Sequence, residues 1–377
     1  MIQRILIIGG YGNFGRFIST SLAMEANIQI IISGRSLEKA QKLADELTAS
    51  SDTVNPPETE CVDINNDFNQ SLAFINPDIV IHTSGPFQAQ GYSVAESCID
   101  RGIHYIDLAD AREFVVNISS LQARAKDNNV VVISGASSVP CLTSAVIDHY
   151  IDEFDALESV DYGISTAQKT ARGGATTAAI LGYTGKGFNT LVNGEVKEIY
   201  GWQNIHARKY KHLGWRLLGN CDIPDLSIFP LRYPHLKNIR FYAGLEIPFI
   251  HISLWCLSWL VRIRLIRRLD KAAALLLKLS FMFDWLGTSN SAFHMELSGI
   301  DSKQVEKQLN FQITARSGDG PYIPCMPAIL LAKKIVNNQI IEKGAYACVG
   351  FIALDEYLEA LSALDISWEV ESVTNNR

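Results

Sequence analysis

The chain has 377 residues, 47% apolar and 19% charged, which is long enough for two domains and apolar enough to bury a sizeable core. Against 40 Asp and Glu stand 33 Lys and Arg, a net charge of −7, so the basic excess that a nucleic-acid partner demands is missing. The seven Cys form no CxxC pair, which excludes zinc and redox sites of that spacing, and their odd number suits reduced thiols.

The opening MIQRILIIGG holds an apolar run too short for a signal-peptide core, so a cytoplasmic location is expected. Residues 5–8 are wholly apolar and branched, the pattern of a strand buried on both faces of a parallel sheet. They run into Gly9-Gly10-Tyr11-Gly12-Asn13-Phe14-Gly15, in which Gly10, Gly12 and Gly15 spell G-x-G-x-x-G. Phe14, Phe17, Ile18 and Leu22 then mark one helical face. In such a turn the first glycine makes the bend, the second admits a pyrophosphate to the backbone, and the third lets helix pack on strand. The helix start adds free N–H groups and a partial positive charge. Gly10, Tyr11, Gly12, Asn13, Phe14 and Gly15 are therefore the expected dinucleotide cradle.

A second strand over 28–32 ends in Ser33-Gly34-Arg35, where an Asp or Glu would hold the ribose 2′-hydroxyl of NAD. No acid is present, and Arg35 stands where a guanidinium would grip a 2′-phosphate, with Ser33 and Ser36 as hydroxyl donors. NADP is the expected cofactor and NAD the alternative. The alternation continues with a helix over 37–47, strands over 60–63 and 78–83, and a helix over 93–101 ended by Gly102. Strands over 104–108 and 130–134 follow, with a helix between them. Six strands alternating with helices predict an α/β, doubly wound parallel (Rossmann) sheet whose ligands lie at the strand C-terminal ends. There Asp63 faces the adenine side, and Ser84, Gly85 and Pro86 flank the ribose or nicotinamide. Tyr92, His104, Tyr105 and Asp107 are the proton-donor candidates for hydride transfer, each with a structural alternative; Asp107, for one, suits a turn cap.

After Pro140 the βα rhythm stops, which sets a domain boundary there. Residues 159–165 alternate like a strand, and Asn193-Gly194 between apolar neighbours signals a two-residue hairpin. Phe293, Met295 and Leu297, then Leu309, Phe311, Ile313 and Ala315, predict antiparallel strands with one wet face. A mixed α+β domain over 141–320, for substrate or dimerisation and covering the nicotinamide, would precede a C-terminal return segment over 321–377. Arg172-Gly173-Gly174 opens a helix, either as an anion site for substrate or as an ordinary helix start. Tyr233 and Lys237 form Y-x-x-x-K, but Pro234 lies between them and the spacing is taken as chance.

The stretch 247–286 is unusual. Its longest uncharged run, 247–261, is too short to span a bilayer, yet the stretch carries six basic and two acidic side chains in an acidic protein. It fits an in-plane membrane helix, a lid over a lipid-like substrate, a buried helix pair, or a homodimer contact. No HExxH, G-x-S-x-G or G-x-x-x-x-G-K-[ST] occurs, so no metal, α/β-hydrolase or P-loop site is expected.

With these residues in hand, the chain resembles the saccharopine dehydrogenase-like oxidoreductases. The resemblance rests on GGYGNFG at 9–15, SGPF at 84–87 followed by Tyr92, HYIDLAD at 104–110 and GASSVPCLTSA at 135–145. GDGPYIPCMPAILLA at 318–332 is similar to the family's return helix, which packs back on the first domain, here at about 325–340. It covers about 1–145 and 318–360. The resemblance implies NAD(P) binding and an inserted α/β substrate domain. Several members act on amino-acid adducts, and a lipid-pathway branch reduces enoyl groups. No short motif of the family fixes a catalytic acid or base, so the resemblance implies a cofactor without a substrate. The expected function is an NAD(P)-dependent oxidoreductase acting on a carbonyl, imine or enoyl group; a non-catalytic NADP-binding sensor or scaffold, membrane-peripheral through 247–286, is the alternative.

Overall fold

A computed structural model describes residues 2–170, 172–340 and 342–375. The chain divides into two compact units, Met1–Leu142 with Pro321–Ile352, and Thr143–Gly320 with Ala353–Arg377.

The first unit is built on strands β1 (Gln3–Ile8), β2 (Ile28–Gly34), β3 (Glu58–Cys61), β4 (Ile79–His82), β5 (His104–Asp107) and β6 (Val131–Ser134). All neighbours are parallel, in the order β3-β2-β1-β4-β5-β6, and Gly344–Ala347 adds a seventh parallel strand beside β6. β1 is central and buried on both faces. Leu6 and Ile8 join one core with Ile31, Val80, Val132 and the helix residues Leu72, Val94 and Cys98, while Ile5 and Ile7 project oppositely and are equally enclosed. The helix Gly15–Leu22 leaves the β1 turn, and the helix Tyr322–Val336 packs against it, with Phe17 and Tyr322 edge to face at 4.5 Å.

The seventh strand is absent from the six-strand expectation because GAYA is too short and small-sided to stand out from a loop. The expected return segment also divides. Pro321–Ile352 stays with the first unit, whereas Ala353–Arg377 lies in the second, where Ile366–Asn375 pairs antiparallel with Glu306–Ala315.

The second unit holds a seven-stranded mixed sheet in the order His206–Tyr210, Gly214–Asn220, Asn238–Leu245, Ala156–Thr166, Ser291–Ile300, Glu306–Ala315 and Ile366–Asn375. Only Asn238–Leu245 and Ala156–Thr166 run parallel. Asn193 and Gly194, both at positive φ, close the two-stranded hairpin Gly187–Val192 and Glu195–Tyr200. The wet face expected of the strand Ser291–Ile300 is largely covered. His294 is fully buried with its Nδ1 2.8 Å from the Tyr210 hydroxyl, and Arg208 pairs with Glu296 at 2.5 Å. The sheet's far strand supplies these partners, a long-range pairing that local alternation cannot show.

Candidate functional site

The G-x-G-x-x-G turn sits at the C-terminal end of β1, held by local hydrogen bonds. The N–H groups of Gly9 and Gly10 both donate to the Ser33 carbonyl, at 2.9 and 3.0 Å, and Gly12 N–H donates back to Gly9 O at 2.8 Å. Gly9 has φ +77°, which favours glycine. A Cβ on Gly15 would lie 2.1 Å from Gly9 O, and one on Gly12 2.9 Å from the same oxygen. Helix and turn therefore approach as closely as backbone permits. No side chain caps the helix, and the N–H groups of Asn13, Phe14 and Gly15 have no acceptor among the described residues. Asn13 Oδ1 is buried without a partner there. Free donors, a positive helix end and close backbone approach together suit a diphosphate.

Tyr11 braces the next turn. Its ring lies against Gly34, where a Cβ would come within 2.7 Å of it, and its hydroxyl accepts from Ser36 N–H at 3.0 Å. Ser36 Oγ in turn accepts from Lys39 N–H and caps the helix Leu37–Thr48. Arg35 is exposed at the end of β2, with no ion pair among the described residues. Ser33 differs from expectation: its hydroxyl is fully buried and donates to Ile7 O at 3.0 Å. It ties β2 to β1 and offers nothing to a phosphate.

Asp63 closes its own turn, accepting from Asn65 N–H at 3.0 Å and from the Asn65 and Asn66 amides at 3.3 Å. Thr83, absent from the sequence expectation, donates from Oγ1 to Ile8 O at 2.9 Å and locks β4 to the end of β1. Ser84 Oγ stands 2.6 Å from where a Gly9 Cβ would be. Gln90, equally unforeseen, donates from Nε2 to Ser84 O at 2.7 Å and to Pro86 O at 3.1 Å, fixing the Ser84-Gly85-Pro86 bend.

The four proton-donor candidates each make contacts within the fold, Tyr105 being buried with its hydroxyl 3.0 Å from His82 Nδ1. Asp107 is 0% exposed, and its Oδ1 accepts from Ala109 N–H, Gly135 N–H and Ser134 Oγ, all at 2.9 Å. Burial pushes its pKa up to about 6, against the pull of hydrogen bonds from Gly135, Ala109, Ser134 and Tyr105. It caps the turn and ties the ends of β5 and β6. Tyr92 donates its hydroxyl proton to Phe114 O at 2.7 Å, and burial followed by the Asp107 charge raises its pKa to about 12. His104 opens β5, at the edge of the sheet opposite the glycine turn, roughly 10 Å away along the strand at 3.3 Å per residue. Its Nδ1 accepts from Val131 N–H at 3.0 Å, and burial lowers its pKa to about 4. The strand expected over 104–108 already begins at His104, so its distance from the ligand end of the sheet follows from the strand bounds.

Residues 5–133 match the family description "Saccharopine dehydrogenase NADP binding domain". The first unit is a saccharopine dehydrogenase-like NAD(P)-binding domain. Over the full fold the chain is similar to apo saccharopine dehydrogenase (L-Glu forming) from Saccharomyces cerevisiae, with TM-score 0.70 and 11% identity, covering 98% of this chain and 100% of that one. Weaker likenesses are to amine dehydrogenase from Mycobacterium smegmatis (TM-score 0.46, 11% identity, 94% and 95% covered) and to GenD2 from gentamicin A biosynthesis in complex with NAD (0.46, 11%, 100% and 97%). No curated protein matches the chain in sequence. Around this NAD(P)-binding domain, the described residues hold no group of His, Cys, Asp or Glu fit for a metal ion.

In the second unit, Arg172 does not face an open anion site. It pairs with Asp284, donates to Ser280 Oγ at 3.1 Å and lies 4.6 Å from the Phe281 ring centroid. Gly173 and Gly174 begin the helix Gly174–Tyr183. Tyr233 donates to Asp148 at 2.8 Å and Lys237 pairs with Glu158 at 2.5 Å, so the two serve separate contacts.

Proposed function

We propose that the protein is an NADP(H)-dependent oxidoreductase acting on a carbonyl, imine or enoyl group of a small or lipid-like substrate. The observation that carries this reading is the glycine turn, whose uncapped helix start has N–H groups with no acceptor among the described residues, followed by Arg35, unpaired among those residues, with no acid at the end of β2. When bound, the cofactor supplies a hydride at its nicotinamide ring. The Asn13, Phe14 and Gly15 N–H groups would hold the diphosphate, and Arg35 the 2′-phosphate. Gln90 would keep the Ser84-Gly85-Pro86 bend shaped for the sugar or nicotinamide end. The experiment is calorimetric titration with NADPH and NADH, followed by turnover on a panel of carbonyl, imine and enoyl compounds. Failure to bind either nucleotide would sink the reading.

One observation favours a second reading. The Tyr92 hydroxyl, His104 Nδ1 and Asp107 Oδ1 are engaged within the fold, leaving Asp107 Oδ2 buried without a partner among the described residues; that engagement suits a non-catalytic NADP-binding sensor or scaffold. NADPH binding without oxidation by any member of the panel would select it.

A further inference from the structure

Independently of the cofactor site, we propose that the second unit docks in the plane of an anionic lipid surface through the helices Pro248–Arg262 and Ala273–Phe281 and the turn between them. The first helix turns apolar side chains to both faces. His251 and Ser258 face inward with Leu254 and Val261, while Phe249, Ile252, Cys256 and Trp259 line the solvent side at helical spacing. The second helix and its end expose Leu275, Leu279, Met282 and Trp285, the last at 75%. Half of the described chain's exposed large apolar side chains fall within 249–286, a contiguous stretch of sequence. A surface of this kind marks an interaction site.

Charge decides the partner. Arg264 and Lys271 lie on the exposed turn or just beyond it, with Arg267 between them and Lys278 on the second helix. None of these four has an ion pair among the described residues, whereas Arg268 pairs with Asp270 and Arg262 lies 3.8 Å over the Tyr200 ring. Unpaired cations beside exposed Trp, Phe and Leu match the headgroup and acyl layers of an anionic bilayer. A self-complementary contact between copies would instead bring these cations together. Among the described residues no helix is long and apolar enough to cross a membrane, so the contact lies in the plane.

The test is flotation of the full-length protein with vesicles of equal parts phosphatidylglycerol and phosphatidylcholine, beside vesicles of phosphatidylcholine alone. Two double variants accompany it, Arg264→Gln with Arg267→Gln, and Met282→Gln with Trp285→Gln. NADPH binding and thermal unfolding serve as folding controls for both. The wild type should float with the anionic vesicles only, and raised salt should release it. The arginine pair should weaken binding about 30-fold, at roughly five-fold per cation, and the apolar pair should abolish flotation. Absence of wild-type flotation would overturn the proposal. So would a stable dimer in ultracentrifugation that anionic vesicles fail to compete and that Trp285→Gln dissociates.

Discussion

A Cβ placed on Gly15 would stand 2.1 Å from the carbonyl oxygen of Gly9, less than any unstrained contact allows. The first helix therefore meets the strand that precedes it through bare backbone. Replacement of Gly15 by Ala must move the helix start and with it the free N–H groups. Gly15→Ala should cost about 1–3 kcal/mol of stability, as overpacked sites do, and should lower NADPH affinity by at least about ten-fold. Denaturant unfolding and calorimetry would check both. Unchanged affinity would show that the turn is not the diphosphate site.

Arg35 is exposed and has no carboxylate partner among the described residues, so its charge is available to a phosphoryl group. A charge-assisted hydrogen bond contributes about 1.5–3 kcal/mol. Arg35→Ala should therefore weaken NADPH roughly 10- to 100-fold while leaving NADH within about two-fold. Equal loss for both nucleotides would remove the 2′-phosphate role.

Tyr92 tests whether an occupied hydroxyl takes part in chemistry. Because its proton goes to Phe114 O, Tyr92→Phe should cost about 1 kcal/mol of stability and leave turnover intact. A drop in kcat of a hundred-fold or more, at unchanged melting temperature, would return Tyr92 to the list of proton donors.

Asp107 and His82 make opposite contributions to stability against pH. Asp107 titrates near pH 6 when folded and near 3.8 when unfolded, so its contribution is full below pH 3.8 and is lost as pH rises through 6. His82, 1% exposed with its Nδ1 3.0 Å from the Tyr105 hydroxyl, is lowered by burial to about 4. Its contribution is present above pH 6.5 and is lost as pH falls through 4. Relative to wild type, Asp107→Asn should gain stability as pH rises from 4 to 7, by about 3 kcal/mol at most. His82→Gln should gain it as pH falls over the same range. Urea unfolding at several pH values would read both slopes, and parallel curves for all three proteins would refute the assignment.

Arg172 and Asp284 join the start of the helix Gly174–Tyr183 to the apolar segment beyond 247. Arg172→Ala should expose that segment to protease without altering NADPH affinity. Limited trypsin digestion would show faster cleavage within 262–278, and an unchanged digestion rate would count against the contact.

The glycine turn, the alternation of strands and helices in the first domain and the basic residue after β2 were legible in sequence because each is a local constraint. Buried parallel strands read as apolar runs, close approach requires glycine, and a missing carboxylate is visible by inspection. The two-residue hairpin at Asn193-Gly194 was legible for the same reason, since positive φ at both positions selects those residue types.

Long-range pairing was hidden. Nothing in GAYA at 344–347 announces a seventh strand, because its partner β6 lies some two hundred residues earlier. Ser33, Tyr92 and His104 have the composition of site residues, yet each hydrogen-bonds a backbone group that only folding brings near. Sequence by itself determined where the glycine turn lies and that no acid follows β2, since both depend on what a few adjacent residues lack: side chains at the glycines and a carboxylate after the strand. Which polar groups remain free to do chemistry, and which apolar ones remain exposed, was decided by tertiary structure alone, because burial and hydrogen bonding belong to pairs of distant segments.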